Sequence, residues 1–349
     1  MEFPPRRYLM LATKPYSLPI LAPVARVIVR ETPGQVRWFT AGSAREHSPP
    51  GTSFNHPGEV EEYHPDAILV PGNVVPHFWS GLKVHIFHSL SEEKKGYYRV
   101  TGFFDLYCTP GPRITRRFVD LAEKAGHFMV AQTGWPKLDP LVRPQRRERV
   151  LEQLGLTARE PVILYAPNFR PKYSSAADLF PVIKKLAGGP YQWLAKFHAL
   201  ADPDIVDTYK TLECPTFRVG TGQSVLPLMQ AADLLVTDTS SVAYEFLMLD
   251  RPLITYRAVA HHPKGINIVN ADDLPAAIEQ SLREPERMRG DRQRILDQLH
   301  PYRDGNSSRR VLESIENVLQ NGLHLRLKRK PLNPVRKWKV RRMVMELDR

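Results

Sequence analysis

The sequence predicts an α/β protein built from two doubly wound parallel sheets, and three observations support that class. Short apolar runs alternate with amphipathic segments, which is the pattern of parallel strands covered by helices. The chain has 349 residues, enough for two domains at roughly 150 residues each. Its composition, 42% hydrophobic and 25% charged, is that of a folded protein rather than a disordered one.

Strand and helix signals follow one another through the first half of the chain. Apolar runs predict strands at Tyr8–Thr13, Val36–Thr40, Ala67–Val70, Val84–Phe87, Leu106–Thr109 and Phe128–Ala131. Amphipathic segments predict helices over Ser17–Glu31 and, after Gly111-Pro112, as far as Lys124. A Pro-rich loop and a charged helix within Gly134–Glu160 join the two halves.

The second half repeats the pattern. Strands are predicted at Val162–Ala166, Gln192–Phe197, Phe217–Val219, Leu234–Thr237 and Leu253–Tyr256, with helices over 175–186, 224–231, 241–249 and most of 274–321. These signals predict an N-terminal, acceptor-side domain over residues 1–140, a C-terminal, nucleotide-donor domain over 141–322 and a basic tail over 323–349. Parallel sheets bind ligands beyond the carboxyl ends of their strands, so a two-domain protein is expected to have its site in a cleft.

The tail carries a large share of the charge. The chain has a net charge of +12, and from Leu323 onward ten Lys or Arg stand against Glu346 and Asp348. Apolar residues lie between these charges, so the tail can bind an anionic membrane, bind nucleic acid or remain a solvated terminus. No aromatic-rich basic groove accompanies it, so nucleic acid is not expected as a partner. The residues expected at a membrane are Arg329, Lys330, Arg336, Lys337, Trp338, Arg341 and Arg342.

Several classes of protein are disfavoured by what the chain lacks. Two cysteines, Cys108 and Cys214, are too few for a disulfide framework or a cysteine zinc site. No signal-peptide core is visible, and no run approaches the ~18 apolar residues of a spanning helix. The expected location is cytoplasmic, or peripheral on the inner face of the cell membrane. Asp202-Pro203-Asp204 mimics a DxD metal motif but predicts a helix N-cap followed by proline, so neither a metal nor a cofactor is expected.

The strongest chemical signal is the segment ADLLVTDTSSVAYEF. Its buried strand ends at Asp238, and Thr239, Ser240 and Ser241 lead into a helix. Backbone N–H groups at a helix start, the positive end of the helix dipole and three hydroxyls favour an anion such as a phosphate or diphosphate. Glu245, about one turn into the helix, is placed to reach a ribose hydroxyl. The same residue types also act as ordinary helix caps, and the spacing alone does not decide between the two.

Four further residues carry candidate chemistry. Arg170 ends the segment YAPNFR after a strand, where a guanidinium can fork onto phosphate oxygens. His88 and His198 each follow a strand end, one per domain, and an imidazole there can accept a proton from a hydroxyl or steady a phosphate oxygen. Ser307 lies at a second predicted helix start, within YRDGNSSRR. On residue type alone, each is as readily a structural or surface residue.

Taken together, these segments resemble one family, the CDP-glycerol glycerophosphotransferases, which have the GT-B fold. YAPNFR resembles the family's YAPTFR, AKFHAL its K-x-HP segment, and DGNSSRRV its DGKASERV. VTDTSSVAYEFLMLDRPLITY is similar to TDYSSVFFDYLLLDKPIIFY, and HSLSEEKKG to HGTPLKKIG. The segments occur in the family's order between His88 and Val311. Family members build poly(glycerol phosphate) in wall teichoic acids and related capsule or surface polymers.

The resemblance implies two Rossmann-like domains facing a cleft, with C-terminal helices, and a transferase reaction. A hydroxyl of a lipid-linked or glycan acceptor would attack the β-phosphorus of CDP-glycerol, and CMP would leave. His88 would be the general base, while His198 would protonate or stabilise the diphosphate. The donor's phosphates and nucleotide would be held by Arg170, Asp238, Thr239, Ser240, Ser241, Glu245 and Ser307.

Two other classes of function stay open at this point. A different GT-B enzyme acting on a UDP-sugar, such as a 2-epimerase or a glycosyltransferase, would place its diphosphate at the same helix start. A non-catalytic nucleotide- or polyanion-binding protein would use the tail on nucleic acid. The first 80 or so residues contain no motif that identifies an acceptor.

Overall fold

The computed structural model describes residues 3–92, 96–142, 147–220, 224–258 and 264–346. The chain divides into two compact units. The first contains residues 1–140 and 298–349, and the second contains residues 141–297. Residues 298–322, predicted as part of the second domain, therefore belong to the first unit, as does the tail.

The first unit is a parallel sheet with helices. Its strands are β1 (Arg7–Ala12), β2 (Gln35–Thr40), β3 (Ser53–Phe54), β4 (Ala67–Val70), β5 (Leu82–Ile86), β6 (Leu106–Thr109) and β7 (Met129–Gln132). They lie in the order β3-β2-β1-β4-β5-β6-β7. The helices are α1 (Leu18–Glu31), α2 (Pro57–Tyr63), α3 (Pro112–Ala125) and α4 (Asp139–Val142), which reaches the unit boundary. The strand order reverses direction at β1, as in doubly wound folds.

The second unit repeats this architecture. Its strands are β8 (Val162–Ala166), β9 (Gln192–Lys196), β10 (Phe217–Gly220), β11 (Leu234–Thr237), β12 (Leu253–Tyr256) and β13 (Ile266–Ile268), in the order β10-β9-β8-β11-β12-β13. Its helices are α5 (Arg147–Gln153), α6 (Ala176–Leu186), α7 (Pro203–Lys210), α8 (Val225–Ala231), α9 (Val242–Phe246), α10 (Leu274–Arg283) and α11 (Arg289–Leu299). All strand pairs are parallel, so the predicted fold class, with two Rossmann-like sheets, is confirmed.

Several strands were predicted with their exact bounds, whereas β3 and β13 were not predicted. β8, β11 and β12 have the predicted bounds. β3 and β13 are two and three residues long, too short for a periodic signal. α7 begins as predicted, because the Asp202 carboxylate accepts a hydrogen bond from the Asp204 N–H at 3.0 Å, with Pro203 in the first turn.

The last two helices, α12 (Ser307–Gln320) and α13 (Pro334–Glu346), join the first unit. Glu316 of α12 is fully buried, and its carboxylate accepts hydrogen bonds from Arg6 Nε at 2.9 Å and from the Tyr8 hydroxyl. Val340 and Val344 of α13 pack in the hydrophobic core of the same unit. These contacts explain why residues 298–322 do not stay with the second unit.

A buried histidine makes the first unit acid-sensitive. His85 on β5 lies among Phe87, Phe104 and Tyr107, with ring centroids 4.7, 4.9 and 5.0 Å away. Neither ring nitrogen has a hydrogen-bond partner among the described residues. Burial, reinforced by the nearby His88, lowers the pKa of His85 to about 3. The unfolded chain binds a proton near pH 6.5 and the folded chain does not, so stability falls as the pH drops below about 6.5.

We therefore expect His85→Leu to unfold less readily in acid than the wild type. Between pH 6.5 and 4.5, the wild type should lose about 2 kcal/mol of unfolding free energy that the variant keeps, since the slope reaches about 1.4 kcal/mol per pH unit only well below pH 6.5. Thermal unfolding midpoints across this range measure the difference. His47→Leu, which removes an exposed histidine of the same unit, is the matched control. An unchanged pH dependence in His85→Leu would contradict the assignment.

Candidate functional site

The candidate site lies in the second unit, at the carboxyl edge of its sheet. β8 is paired with β9 on one side and β11 on the other. The loops after these three parallel strands therefore meet at one edge, where ligands of such sheets bind. They carry Arg170 after β8, His198 after β9 and the turn 238–241 after β11. The structure thus brings together three residues or segments that were predicted separately.

The buried carboxylate of Asp238 connects the loops at this edge of the sheet. Its side chain is 2% exposed. The Asn168 N–H donates to both carboxylate oxygens at 2.9 Å, and Ser175 donates through its N–H at 2.8 Å and its hydroxyl at 2.9 Å. Asp238 therefore ties the loop after β8 and the start of α6 to the end of β11. The predicted role of Asp238 in holding donor phosphates is corrected, because a buried carboxylate already occupied by these donors positions the loops instead.

Keeping this carboxylate buried costs stability. Burial raises the pKa of Asp238 to about 6, although hydrogen bonds from Asn168 and Ser175 act in the opposite direction. The pKa of Asp238 is therefore higher in the folded chain than in the unfolded chain. As the pH rises from about 4 to about 6, the free energy of unfolding falls, because the buried carboxyl group must lose its proton. At neutral pH the folded protein still bears the free-energy cost of this buried charge. Strongly shifted carboxyl groups cluster at functional sites, which favours a role for this edge beyond folding.

The hydroxyl residues of the turn remain at the surface. Thr239, Ser240 and Ser241 are half-buried, and α9 begins at Val242. Ser241 makes no side-chain capping hydrogen bond to the helix, so the alternative that it merely caps α9 is not supported. The hydroxyls of Ser240 and Ser241 and a helix start therefore border the same short turn, which suits an anionic group.

Glu245 lies in the predicted helix, but it is more buried than predicted. Its side chain, within the first turn of α9, is only 2% exposed. The predicted contact of Glu245 with a ribose at the surface is therefore corrected.

The loop after β8 brings a cation to the edge. The Asn168 side-chain amide donates to the Thr239 carbonyl at 2.5 Å, and the Arg170 N–H donates to the Asn168 side-chain oxygen at 2.9 Å. The exposed Arg170 guanidinium lies 5.6 Å from the centroid of the Phe169 ring. Arg170 is thus an exposed cation on a loop that is fastened to the turn 238–241.

His198 has a defined orientation. The Leu200 N–H donates to its Nδ1 at 3.0 Å, and its ring stacks on Phe169 with centroids 4.5 Å apart and an interplanar angle of 26°. A nitrogen that accepts a hydrogen bond carries no proton, so in the neutral ring the proton is on Nε2. The imidazole is exposed, and one of its nitrogens and one ring face are in defined contacts.

His88 belongs to the first unit, two residues beyond the end of β5. It is half-buried, and its ring centroid is 5.7 Å from that of Tyr16, which follows β1. Tyr16 comes from the N-terminal stretch in which no motif was found, and it is 43% exposed. Part of the segment that follows His88, residues 93–95, lies outside the described residues.

Ser307 is placed differently from the prediction. It is 1% exposed and lies in the first unit. The Asp139 carboxylate accepts from the Ser307 N–H at 2.9 Å and from the Ser308 N–H at 2.8 Å and hydroxyl at 2.6 Å. A carboxylate of the chain itself thus occupies the start of α12, so the predicted phosphate contact of Ser307 is corrected.

Part of the basic tail is used within the first unit. Lys330 Nζ donates to the Phe103 carbonyl at 2.8 Å and contacts the Asp105 carboxylate at 2.5 Å. Arg336 donates to the Thr101 carbonyl at 2.8 Å. Gly102 has a φ of +76°, and a Cβ there would lie 2.6 Å from Pro331, so the tail segment packs closely on this turn. The predicted membrane contacts of Lys330 and Arg336 are therefore corrected, and Lys337 is half-buried.

The remaining tail residues form an exposed surface. Trp338 is 59% exposed, and Arg329, Arg341 and Arg342 are exposed too. Among the described residues, no helix is both long and apolar enough to cross a bilayer. Nor does any group of three His, Cys, Asp or Glu in the described ranges have an arrangement that could hold a metal ion.

Sequence reasoning missed three residues of the edge: Asn168, Phe169 and Ser175. Asn168 and Ser175 matter through Asp238, which is 70 and 63 residues away along the chain, so no local pattern reveals them. Phe169 lies inside YAPNFR, and its position next to Arg170 is the one feature of the sequence that could have pointed to it.

The two parallel, Rossmann-like sheets define an α/β protein of the GT-B class. The structure of the wall teichoic acid polymerase TagF superposes with a TM-score of 0.67 at 16% identity, over 92% of this chain and 90% of that one. UDP-GlcNAc 2-epimerase from Neisseria meningitidis gives 0.62 at 16% identity, over 89% and 100%. At these identities the likeness shows the fold alone.

Sequence comparison identifies the family. The model of the CDP-glycerol:poly(glycerophosphate) glycerophosphotransferase family matches residues 88–317, and the chain belongs to that family. The teichoic acid poly(glycerol phosphate) polymerase of Bacillus spizizenii is 26% identical over 188 residues, 50% of this chain and 46% of that protein. The teichoic acid glycerol-phosphate primase of Bacillus subtilis is 27% identical over 200 residues, 53% and 51%. The matched stretches span about half the length of these relatives.

Proposed function

We propose that the protein transfers a glycerol-phosphate unit, or a similar alcohol-phosphate unit, from a CDP-activated donor to a hydroxyl of a lipid-linked or glycan acceptor. The observation that carries the proposal is the single edge at which Arg170, His198 and the turn 238–241 meet, inside the segment matched by the family. A cation, an imidazole with a defined tautomer and the hydroxyls of Ser240 and Ser241 beside a helix start suit a diphosphate.

In the proposed reaction, the acceptor oxygen forms a bond to the β-phosphorus of the donor. The bond from that phosphorus to the bridging oxygen breaks, and CMP leaves. His88 takes the proton of the attacking hydroxyl as general base. His198 donates through Nε2 to a phosphate oxygen, and Arg170 balances the charge that develops there. The hydroxyls of Ser240 and Ser241 hold the diphosphate in place.

A panel of donors tests this function. We expect CMP release from CDP-glycerol, or from CDP-ribitol, when a glycerol-phosphate-primed acceptor is present, and no UMP release from UDP-N-acetylglucosamine. Epimerisation or transfer of the UDP-sugar, without turnover of either CDP donor, would decide for the alternative class of GT-B enzyme. RNA binding with a steep salt dependence and no transfer would instead indicate a polyanion-binding protein.

The proposal includes attachment to an anionic membrane through one surface of the tail. We call this surface the tail face. It consists of the exposed apolar residues Leu332, Val335, Trp338 and Met345 and the exposed cations Arg329, Lys339 and Arg342. In α13, positions 335, 338, 342 and 345 share one side of the helix, opposite the buried Val340 and Val344. An exposed tryptophan among apolar and cationic side chains is typical of helices that lie in the lipid interface.

Reversing two charges of the tail face is expected to weaken vesicle binding. Each cation near anionic lipid contributes about 1 kcal/mol, so Lys339→Glu/Arg342→Glu should lower the partition coefficient more than tenfold. Sedimentation with phosphatidylglycerol vesicles at low salt measures it, and phosphatidylcholine vesicles should bind little of either protein.

The control removes the effect of net charge. Lys184→Glu/Lys185→Glu makes the same change in charge on the exposed side of α6 in the second unit. It should bind vesicles nearly as well as the wild type. Equal losses in both double variants would assign binding to overall charge, and no loss in either would leave the tail face without this role.

A further inference from the structure

Phe169 contacts both functional side chains of its edge. Its ring stacks on the His198 imidazole at 4.5 Å with an interplanar angle of 26°, and the Arg170 guanidinium lies 5.6 Å from the same ring. Phe169 is half-buried, whereas His198 and Arg170 are exposed. The aromatic ring is therefore the part of this cluster that is anchored in the fold.

The backbone under Phe169 is fixed by its neighbour. The Asn168 N–H donates to the buried Asp238 carboxylate, and the Asn168 side chain donates to the Thr239 carbonyl. The next residue along the chain therefore has little freedom relative to the turn 238–241. A continuous set of contacts runs from that turn through Asn168 and Phe169 to the His198 ring.

Two contacts then define the direction of the imidazole. The Leu200 N–H, 3.0 Å from Nδ1, selects which nitrogen carries the proton. A hydrogen bond to Nδ1 restrains the ring mainly along the line of that bond and only weakly against rotation about it. The stack on Phe169 fixes the plane of the ring, so the two contacts together fix the line of the Nε2–H bond.

We propose that Phe169 is a positioning residue, which holds the His198 ring so that its Nε2–H meets the phosphate oxygens of a donor bound at the turn 238–241. The role of Phe169 in the transfer reaction rests on the proposed function, whereas the stacking of Phe169 on His198 does not depend on it. Because displacement of a reacting group by about 1 Å can cost about 10²-fold in rate, loss of the stack should affect turnover more than donor binding.

Magnetic resonance of histidine-labelled protein tests the contact without any substrate. Signals absent from His198→Gln identify those of His198. In the wild type, we expect upfield-shifted ring protons, from the stacked phenyl ring, and a nitrogen spectrum with the proton on Nε2. Phe169→Leu should lose the upfield shift, while the proton stays on Nε2 because the Leu200 N–H still donates to Nδ1. Phe169→Tyr should keep the wild-type signals, as should Tyr173→Leu, which removes another aromatic ring of the same loop.

Kinetics with CDP-glycerol test the use of that contact. Phe169→Leu should lower kcat for CMP release by roughly 10–100-fold with KM changed by less than about threefold, and Phe169→Tyr should restore it. Wild-type His198 signals in Phe169→Leu would overturn the proposal, as would altered signals with an unchanged kcat. If the wild type itself released no CMP, the proposed function would fail, while the spectra would still decide whether Phe169 orients His198.

Discussion

Replacing His198 with alanine is expected to lower the rate of CMP release from CDP-glycerol by roughly 10²–10⁴-fold. The imidazole is exposed, its Nδ1 is occupied by the Leu200 N–H, and its plane is fixed by Phe169. It is therefore the side chain of this edge best prepared to donate to a phosphate oxygen. Alanine removes the donor and leaves the strand β9 intact.

The binding of CDP-glycerol separates this role from a structural one. If His198 acts on the reacting phosphate, calorimetry should show an affinity for CDP-glycerol within about fivefold of the wild type, because the loss falls mainly on the transition state. Undiminished turnover in His198→Ala would remove the assigned role. A loss of affinity equal to the loss of rate would make His198 a binding residue only.

The second large effect is expected at Asp238. Asp238→Ala leaves the N–H groups of Asn168 and Ser175 and the Ser175 hydroxyl without their acceptor in a buried place. Each such loss costs about 1–3 kcal/mol, so we expect a thermal unfolding midpoint lower by roughly 5–12 °C. Asp238→Asn keeps one acceptor oxygen and should fall between the alanine variant and the wild type.

Asp238→Ala should also weaken donor binding, because it removes the contacts that hold this edge of the sheet together. Because Asn168 and the turn 238–241 are held through Asp238, affinity for CDP-glycerol should fall at least tenfold in Asp238→Ala below the unfolding midpoint. Asp207→Ala, at an exposed acidic residue of α7, is the control and should change stability by less than about 0.5 kcal/mol. Wild-type stability in Asp238→Ala would show that the carboxylate does not fasten these loops.

The sequence predicted the position of the turn better than it predicted the partners of each residue. A buried apolar strand that ends in Asp-Thr-Ser-Ser before a helix is a local pattern, and the turn 238–241 lies where that pattern put it. The burial of Glu245 depends on how α9 packs in the second unit, and the sequence spacing gave no sign of it.

Contacts between distant segments account for the other differences. Ser307 has the local pattern of an anion site, but Asp139, 168 residues earlier, supplies the anion. The tail has the composition of a membrane segment, but Asp105 and the carbonyls of Thr101 and Phe103 bind two of its cations. In each case the local pattern is present, but a residue far away in the sequence binds the group that the pattern was predicted to offer to a ligand or membrane.

Calorimetric titration of CDP-glycerol into Ser240→Ala/Ser241→Ala, with the wild type alongside, tests the placement of the donor most directly. Hydrogen bonds to a charged group contribute about 1.5–3 kcal/mol each, so the double variant should bind CDP-glycerol at least tenfold more weakly. Thr208→Ala/Thr211→Ala, which removes two exposed hydroxyls at α7 and its C-terminal end, should bind as the wild type does. Wild-type affinity in Ser240→Ala/Ser241→Ala would contradict a diphosphate site at the end of β11.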